Sequence, residues 1–128
     1  MRRLTPDTIA APLARYAHGV EIPAHARIIR TSGQLGLAAD GHVPDSVREQ
    51  AAICFGNIGA ILAAGGMGPG DICHITAWLT DRADLPAYMA ARDAFLAGAG
   101  APPASTLLII AGFSRPEFKV EIEVMAAV

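Results

Sequence analysis

Two acidic residues near the C-terminus, Glu121 and Glu123, are the side chains best suited to transfer a proton. They alternate with Val120, Ile122 and Val124, a pattern typical of a β-strand with one apolar face. In such a strand their Cα atoms lie about 7 Å apart, on the face opposite the valines. The pattern fits a solvated strand face and a general acid or base equally well.

The preceding strand favours the second interpretation. Residues 105–111 are apolar on both sides, so one side can pack on helices and the other would be bare in a monomer. Bare apolar patches usually mark association surfaces. We therefore predict a homo-oligomer in which sheets meet sheets, and carboxylates enclosed there must find hydrogen-bond donors.

Two further segments carry polar groups that could line a site. Tyr16 and His18 fall on one face of the first predicted strand. The Ser32-Gly33-Gln34 break could bind an anion or a polarised oxygen through its backbone N–H groups, or be an ordinary strand break. The remaining histidines, His25, His42 and His74, are interpreted as solvated or structural. The four histidines lack metal-ligand spacing, and no phosphate-binding glycine motif or nucleophile elbow is present.

Size and composition indicate one domain over residues 1–128, with an aliphatic core, since 52% of residues are hydrophobic. The net charge of −2 gives no basic field for nucleic acid. No apolar run reaches the length of a membrane span. Cys54 and Cys73 are expected to be buried thiols. A soluble cytoplasmic protein is the simplest interpretation.

The periodicity predicts two helices and a sheet, giving a two-layer α+β domain with both helices on one face. Asp45 or Ser46 is the predicted N-cap of the first helix. Residues 1–15 are expected to form an arm or loop. Helices are predicted over 45–64 and 84–96, and strands over 16–21, 27–31, 72–79, 105–111 and 118–125, with 35–38 a possible continuation of the second strand.

Taken together, these segments resemble the RidA/YjgF family of reactive-intermediate deaminases. The matching pieces, in chain order, are Tyr16-Ala17-His18-Gly19-Val20, Thr31-Ser32-Gly33-Gln34, Gln50 and Asn57, Gly70-Asp71, Pro103-Ala104-Ser105-Thr106 and Val120-Glu121-Ile122-Glu123. The resemblance implies a chorismate-mutase-like fold, a homotrimer with a central barrel, and three clefts between subunits. It also implies hydrolysis of enamines or imines, such as 2-aminoacrylate, to 2-keto acids and ammonia without metal or organic cofactor.

The resemblance assigns roles to individual residues. Glu121 falls on the catalytic glutamate, and Tyr16, His18, Ser32, Gly33, Gln34, Ser105 and Thr106 are the expected substrate-binding residues. One departure is important, because Ser105 stands where the family has the arginine that holds the substrate carboxylate. A charged hydrogen bond contributes about 1.5–3 kcal/mol, so its loss would weaken recognition of an acid roughly ten- to a hundredfold.

Three alternatives follow from this departure. Arg15, Arg30 or Arg115 could supply the cation from elsewhere. The substrate could lack a carboxylate and use the Ser105 and Thr106 hydroxyls. The protein could instead be a trimeric small-molecule-binding or regulatory protein without catalysis. Ribonuclease activity, attributed to some relatives, is not favoured, because the chain lacks a basic groove and paired histidines.

Overall fold

The protein forms a two-layer α+β structure, described here by a computed structural model of residues 1–128. The helices are α1 (Val47–Ala64) and α2 (Leu85–Phe95), and the strands are β1 (Arg2–Leu4), β2 (Gly19–Glu21), β3 (Ile28–Arg30), β4 (Gln34–Leu35), β5 (Ile72–Leu79), β6 (Ala104–Ile109) and β7 (Val120–Ala127). Short 3₁₀ turns, Pro69–Asp71 and Arg82–Asp84, precede β5 and α2. None of the helices is both long and apolar enough to cross a membrane.

The main sheet is mixed and runs β3-β7-β5-β6, with β4 also pairing with β7. Of the paired strands, only β5 and β6 run parallel. Strand β6 lies at one edge of the sheet. Both helices pack on one face and share a single cluster of 17 buried hydrophobic residues with the sheet. The predicted two-layer α+β architecture is therefore confirmed.

The N-terminal arm was predicted wrongly. Arg2–Leu4 forms β1, which pairs with β2 in a separate two-stranded sheet. Arg2 holds this pairing with two hydrogen bonds to the Glu21 carboxylate, of 2.7 and 3.1 Å, and Arg3 donates to the carbonyls of Ala101 and Pro102. A strand of three residues shows no periodicity, so these long-range contacts leave no sequence signal.

Helix α1 was predicted closely. The Ser46 hydroxyl accepts a hydrogen bond from the Glu49 backbone N–H at 3.3 Å, which makes Ser46 the N-cap. The helix ends at Gly65, and the following Gly66 adopts φ +70°, a conformation favoured by glycine. Cys54 on this helix and Cys73 on β5 are both free and buried, as predicted. Burial raises the pKa of the Cys54 thiol to about 12.

Strand β7 has one buried face and one face without helices. Val120, Ile122 and Val124 are buried against the helices, whereas Glu121 and Glu123 lie on the helix-free face and are half-buried. The predicted alternation is confirmed. On the same helix-free face, Leu108 of β6 is 49% exposed, so apolar surface is left bare there in the single chain.

Gln50 joins α1 to the entrance of β7. Its fully buried side chain donates from Nε2 to the carbonyls of Pro44 (2.7 Å) and Glu117 (2.8 Å), and Oε1 accepts from the Lys119 N–H (3.0 Å). Gly36 packs directly on it, since a Cβ at Gly36 would lie 2.4 Å from Gln50 Cβ. One amide therefore sets the positions of two loops and the approach of the chain after β4.

Replacing Gln50 with leucine tests how much these hydrogen bonds stabilise the fold. The apolar side chain would leave three buried backbone groups without partners, each costing about 1–3 kcal/mol. We expect Gln50→Leu to lower the free energy of unfolding by about 3 kcal/mol or more in chemical denaturation. Asn57→Leu, on the same helix but at a residue with no side-chain hydrogen bond, is the matched control and should change it by less than about 1 kcal/mol. If both variants lowered the free energy of unfolding equally, the Gln50 hydrogen bonds would contribute nothing to stability.

Candidate functional site

Glu121 lies against the break between β3 and β4. Leu35 of β4 pairs with Glu121, and a Cβ at Gly33 would lie only 2.1 Å from Glu121 Oε1. The neighbouring Thr31 fixes this approach, because its N–H donates to the Val124 carbonyl and its hydroxyl accepts from the Val124 N–H, both at 3.0 Å. We call Ser32, Gly33, Gln34 and Glu121 the Glu121 niche.

Backbone donors are available in the Glu121 niche. The N–H groups of Ser32 and Gly33 form no hydrogen bond within the chain, whereas both carbonyls accept from the Gln34 amide at 3.2 and 3.5 Å. Two unpaired N–H groups beside a carboxylate can hold a polarised oxygen or a water molecule. The break predicted from Ser32-Gly33-Gln34 thus places donors next to the predicted acid–base residue.

The two carboxylates of β7 have different surroundings. Glu123 lies 3.6 Å from the guanidinium of Arg30, which pairs with it on the helix-free face. Glu121 has no ion-pair partner within the chain, and its cross-strand neighbours are Leu35 and Trp78. Of the two carboxylates on β7, Glu121 is therefore the one without an ion pair.

Tyr16, His18, Ser105 and Thr106 lie at the other end of the sheet. Together they line an open cavity of about 540 Å³, the outer cavity, which also contacts His74 of β5. The Tyr16 and His18 rings meet edge to face at 5.8 Å, although both residues precede β2 and the predicted strand over 16–21 begins only at Gly19. His18 Nε2 donates to the Ala10 carbonyl at 2.8 Å, so this ring is held by the N-terminal segment.

A second cavity lies on the helix side of β6. This inner cavity measures about 380 Å³ and is lined by Leu13, Ala14, Tyr16, Leu85, Tyr88, Met89, Arg92, Ser105 and Leu107. Ser105 belongs to the helix face because it pairs with the buried Ile75, whereas Thr106 lies on the opposite face. Tyr16 and Ser105 contribute to both cavities.

One chain does not bring all the predicted site residues together. Ser105 is aligned through Ile75 with Val124, whereas Glu121 is three residues further along β7 and on the other face. Two strand spacings and three residue steps place the Ser105 and Glu121 Cα atoms roughly 14 Å apart. The Glu121 niche is therefore separate from the two cavities within the chain.

Tyr88 gives the inner cavity an unpaired hydroxyl. The residue is fully buried, and its Oη has no hydrogen-bond partner. Burial raises the pKa of Tyr88 to about 12, although Arg92 and the neighbouring Ser105 act in the opposite direction. Ser105 comes near enough to affect the pKa, but the two hydroxyls do not meet hydrogen-bond geometry. The hydroxyl stays protonated at neutral pH and can donate.

The three arginines suggested as substitutes for the missing cation lie elsewhere. Arg15 donates to the Gly100 carbonyl, Arg30 pairs with Glu123, and Arg115 pairs with Glu117. None of them lines either cavity.

The arginine that does line the inner cavity is Arg92, which was not among the predicted site residues. The available signal was a charged residue within the apolar stripe of Leu85, Tyr88, Met89 and Phe95. No group of three or more histidine, cysteine, aspartate or glutamate side chains lies close enough to hold a metal ion.

Comparison with known proteins identifies relatives along the whole chain. A family model described as endoribonuclease L-PSP matches residues 8–128. The 2-iminobutanoate/2-iminopropanoate deaminase of Escherichia coli K12 is 30% identical over 127 residues, which cover 98% of this chain and 96% of the relative.

Solved structures share the fold. A Rid-family protein of unknown function from Yersinia pestis, YyfB, superposes with a TM-score of 0.86 at 24% identity and covers 99% of this chain and 98% of its own. Escherichia coli TdcF, solved with bound serine, superposes with a TM-score of 0.75 at 25% identity, covering 100% and 99%. With the ordered motifs, the matching family model and a full-length deaminase relative, the chain belongs to the RidA/YjgF family of reactive-intermediate deaminases.

Proposed function

We propose that this protein hydrolyses a reactive enamine or imine metabolite to a carbonyl compound and ammonia in a cleft between copies of the chain. The observation that carries the proposal is Glu121, a carboxylate without an ion-pair partner, held against the free N–H groups of Ser32 and Gly33. A relative of almost the same length is named for deamination of 2-imino acids. The TdcF structure with bound serine adds that one relative accommodates a small amino acid.

The reaction needs only water and proton transfer. An enamine first takes a proton on carbon and loses one from nitrogen, which makes it an imine. Water then adds to the C=N carbon while Glu121 accepts a proton from it, and the same carboxyl group returns that proton to nitrogen, giving a carbinolamine. The Glu121 carboxylate next takes the proton of the carbinolamine hydroxyl and passes it to nitrogen, so the C–N bond breaks, ammonia leaves, and a C=O bond remains. The Ser32 and Gly33 N–H groups stabilise the oxygen as charge develops on it. No step requires a cofactor.

We place the cleft between chains, because the Ser105 and Glu121 Cα atoms lie roughly 14 Å apart on opposite faces of one sheet. Bare apolar surface on the helix-free face supports association of sheet with sheet. We propose a homotrimer, as the family resemblance implies, in which Glu121 of one chain approaches Tyr16 and Ser105 of another. The proposed location is the cytoplasm, and the partners are small molecules rather than nucleic acid or membrane.

Glu121→Gln tests the catalytic assignment. Glutamine keeps the size of the side chain but cannot accept the proton, and a positioned acid–base group contributes roughly 10²–10⁴-fold. We expect ammonia release from imines, generated in situ by an amino-acid oxidase, to fall by about that factor. Glu123→Gln, two residues away and paired with Arg30, should stay within about threefold of wild type. Equal release by all three proteins would remove Glu121 from the mechanism.

Gly33→Ala tests the niche without touching the carboxylate. The new methyl would occupy the position of Glu121 Oε1, so the carboxyl group must move, while the backbone at Gly33 requires no left-handed conformation. We expect ammonia release to approach the Glu121→Gln level, with the midpoint of thermal unfolding within a few degrees of wild type. Gly112→Ala, whose Cβ would meet no atom within 4 Å, is the control. A fully active Gly33→Ala protein would contradict the proposed contact.

Leu108→Glu tests the shared cleft. A charge on the helix-free face would be buried in any sheet-to-sheet interface, at a cost of several kcal/mol. We expect light scattering to give three chains for wild type and one for the variant, with loss of ammonia release. Ile61→Glu, on an exposed position of α1, should remain trimeric. A monomeric wild-type protein would overturn the shared cleft.

A non-catalytic binding protein remains a second candidate function, favoured by Ser105 at the position of the family's arginine. It predicts stabilisation by keto acids or amides in a thermal-shift screen without ammonia release from any imine. Turnover that depends on Glu121 would exclude it.

A further inference from the structure

The inner cavity contains the chain's only buried charged residue. Arg92 is 3% exposed, whereas every other arginine and the single lysine are half-buried or exposed. A buried cation is costly unless it is paired and hydrogen-bonded. Its surroundings therefore show whether Arg92 is fully satisfied by the protein itself.

The hydrogen bonds of Arg92 leave part of its guanidinium free. Nε and Nη2 both donate to one oxygen, Oδ1 of Asp93, at 3.1 and 2.8 Å. Nη1 makes no hydrogen bond within the chain. The Asp93 side chain is 47% exposed, so water screens this partner and weakens its hold on the charge. The protein satisfies one edge of the guanidinium only.

A second unsatisfied donor lines the same cavity. Tyr88, one turn before Arg92 on α2, is fully buried and its hydroxyl has no partner. The Ser105 hydroxyl on the facing strand adds a third donor, and Tyr16 borders the opening. Three donors therefore surround a space of about 380 Å³, which suits a small molecule.

A purely structural role explains only part of this arrangement. Arg92 lies in the last turn of α2, where a cation interacts favourably with the helix dipole. The dipole does not account for the buried hydroxyl of Tyr88, which phenylalanine would replace without any unsatisfied group. An anion in the cavity would satisfy both side chains at once.

We propose that Arg92 on α2, together with the Tyr88 hydroxyl, binds the carboxylate of a 2-imino or 2-oxo acid, in place of the arginine that the family carries at the position of Ser105. In this chain the cation that binds the carboxylate lies on α2, whereas the family carries it on the strand that corresponds to β6. The inference depends on the proposed function for the identity of the acid, and it restores carboxylated imines as substrates of this chain.

Pyruvate binding, measured by isothermal titration calorimetry on the intact protein, tests this inference independently of turnover. Wild type should bind pyruvate at least tenfold more tightly than acetone, which has the carbonyl without the carboxylate. Arg92→Gln should lose this preference, since a charged hydrogen bond corresponds to roughly a tenfold or larger factor. Arg92→Lys should retain part of it. Arg82→Gln removes an exposed arginine before α2 and should bind pyruvate like wild type.

Tyr88→Phe gives a readout that a structural role would not produce. Removing the unpaired hydroxyl should raise the midpoint of thermal unfolding by a few degrees, while pyruvate affinity falls about fivefold or more. This variant keeps the test decisive if Arg92→Gln fails to fold. Pyruvate affinity equal to wild type in folded Arg92→Gln or Tyr88→Phe overturns the inference, as does a wild type that binds pyruvate no better than acetone.

The ammonia assay separates this inference from the proposed function. Arg92-dependent pyruvate binding in a protein that releases no ammonia would reject hydrolysis and leave the anion site standing. Ammonia release that depends on Glu121 but not on Arg92 would reject the anion site alone.

Discussion

The position of Glu121 depends on one buried amide. Gln50 satisfies the carbonyls of Pro44 and Glu117 and the N–H of Lys119, so the loop entering β7 cannot shift without leaving buried groups unpaired. Gly36 then allows the chain after β4 to close on Gln50. Through these contacts the helix layer fixes both sides of the niche, namely the strand carrying the carboxylate and the break carrying the free N–H groups.

A single sheet distributes the functional groups between its two faces. Glu121 lies on the face without helices, whereas Ser105, Tyr88 and Arg92 lie on the helix side near the β6 edge. A single chain does not bring these groups together, and Leu108 leaves apolar surface bare on the same helix-free face. In the proposed assembly, the site therefore forms only when the chains associate.

Most of the architecture followed from periodicity. Helix α1 and strands β5 and β7 were predicted correctly, because the pattern of each extends over several residues. The apolar stripe of α1 and the alternation of Glu121 with buried valines also predicted which face of the element is buried. β1 was missed because three residues carry no period and are held by Arg2 and Arg3 across long sequence distances. Such contacts are invisible until the fold brings the segments together.

The candidate site was less accessible to sequence reasoning. Ser105 and Glu121 lie on strands as predicted, but the opposite faces on which they lie depend on the β5–β6 and β5–β7 registers, which sequence does not specify. Arg92 was not predicted as a site residue, and it shares the apolar stripe of Tyr88 and Phe95 on α2. A charge in an apolar stripe is ambiguous, since a long side chain can bury its stem and keep its head in water. Here the head is buried too.

Tyr16 has a consequence beyond the individual cavities. Its side chain, beside Ser105, is the partition between a compartment above the sheet edge and one below it. The Tyr16 hydroxyl is anchored by the Leu13 N–H, so the partition is attached to the N-terminal segment rather than to the sheet. Any displacement of Tyr16 would therefore require the N-terminal segment to move with it, which couples both cavities to the least regular part of the chain.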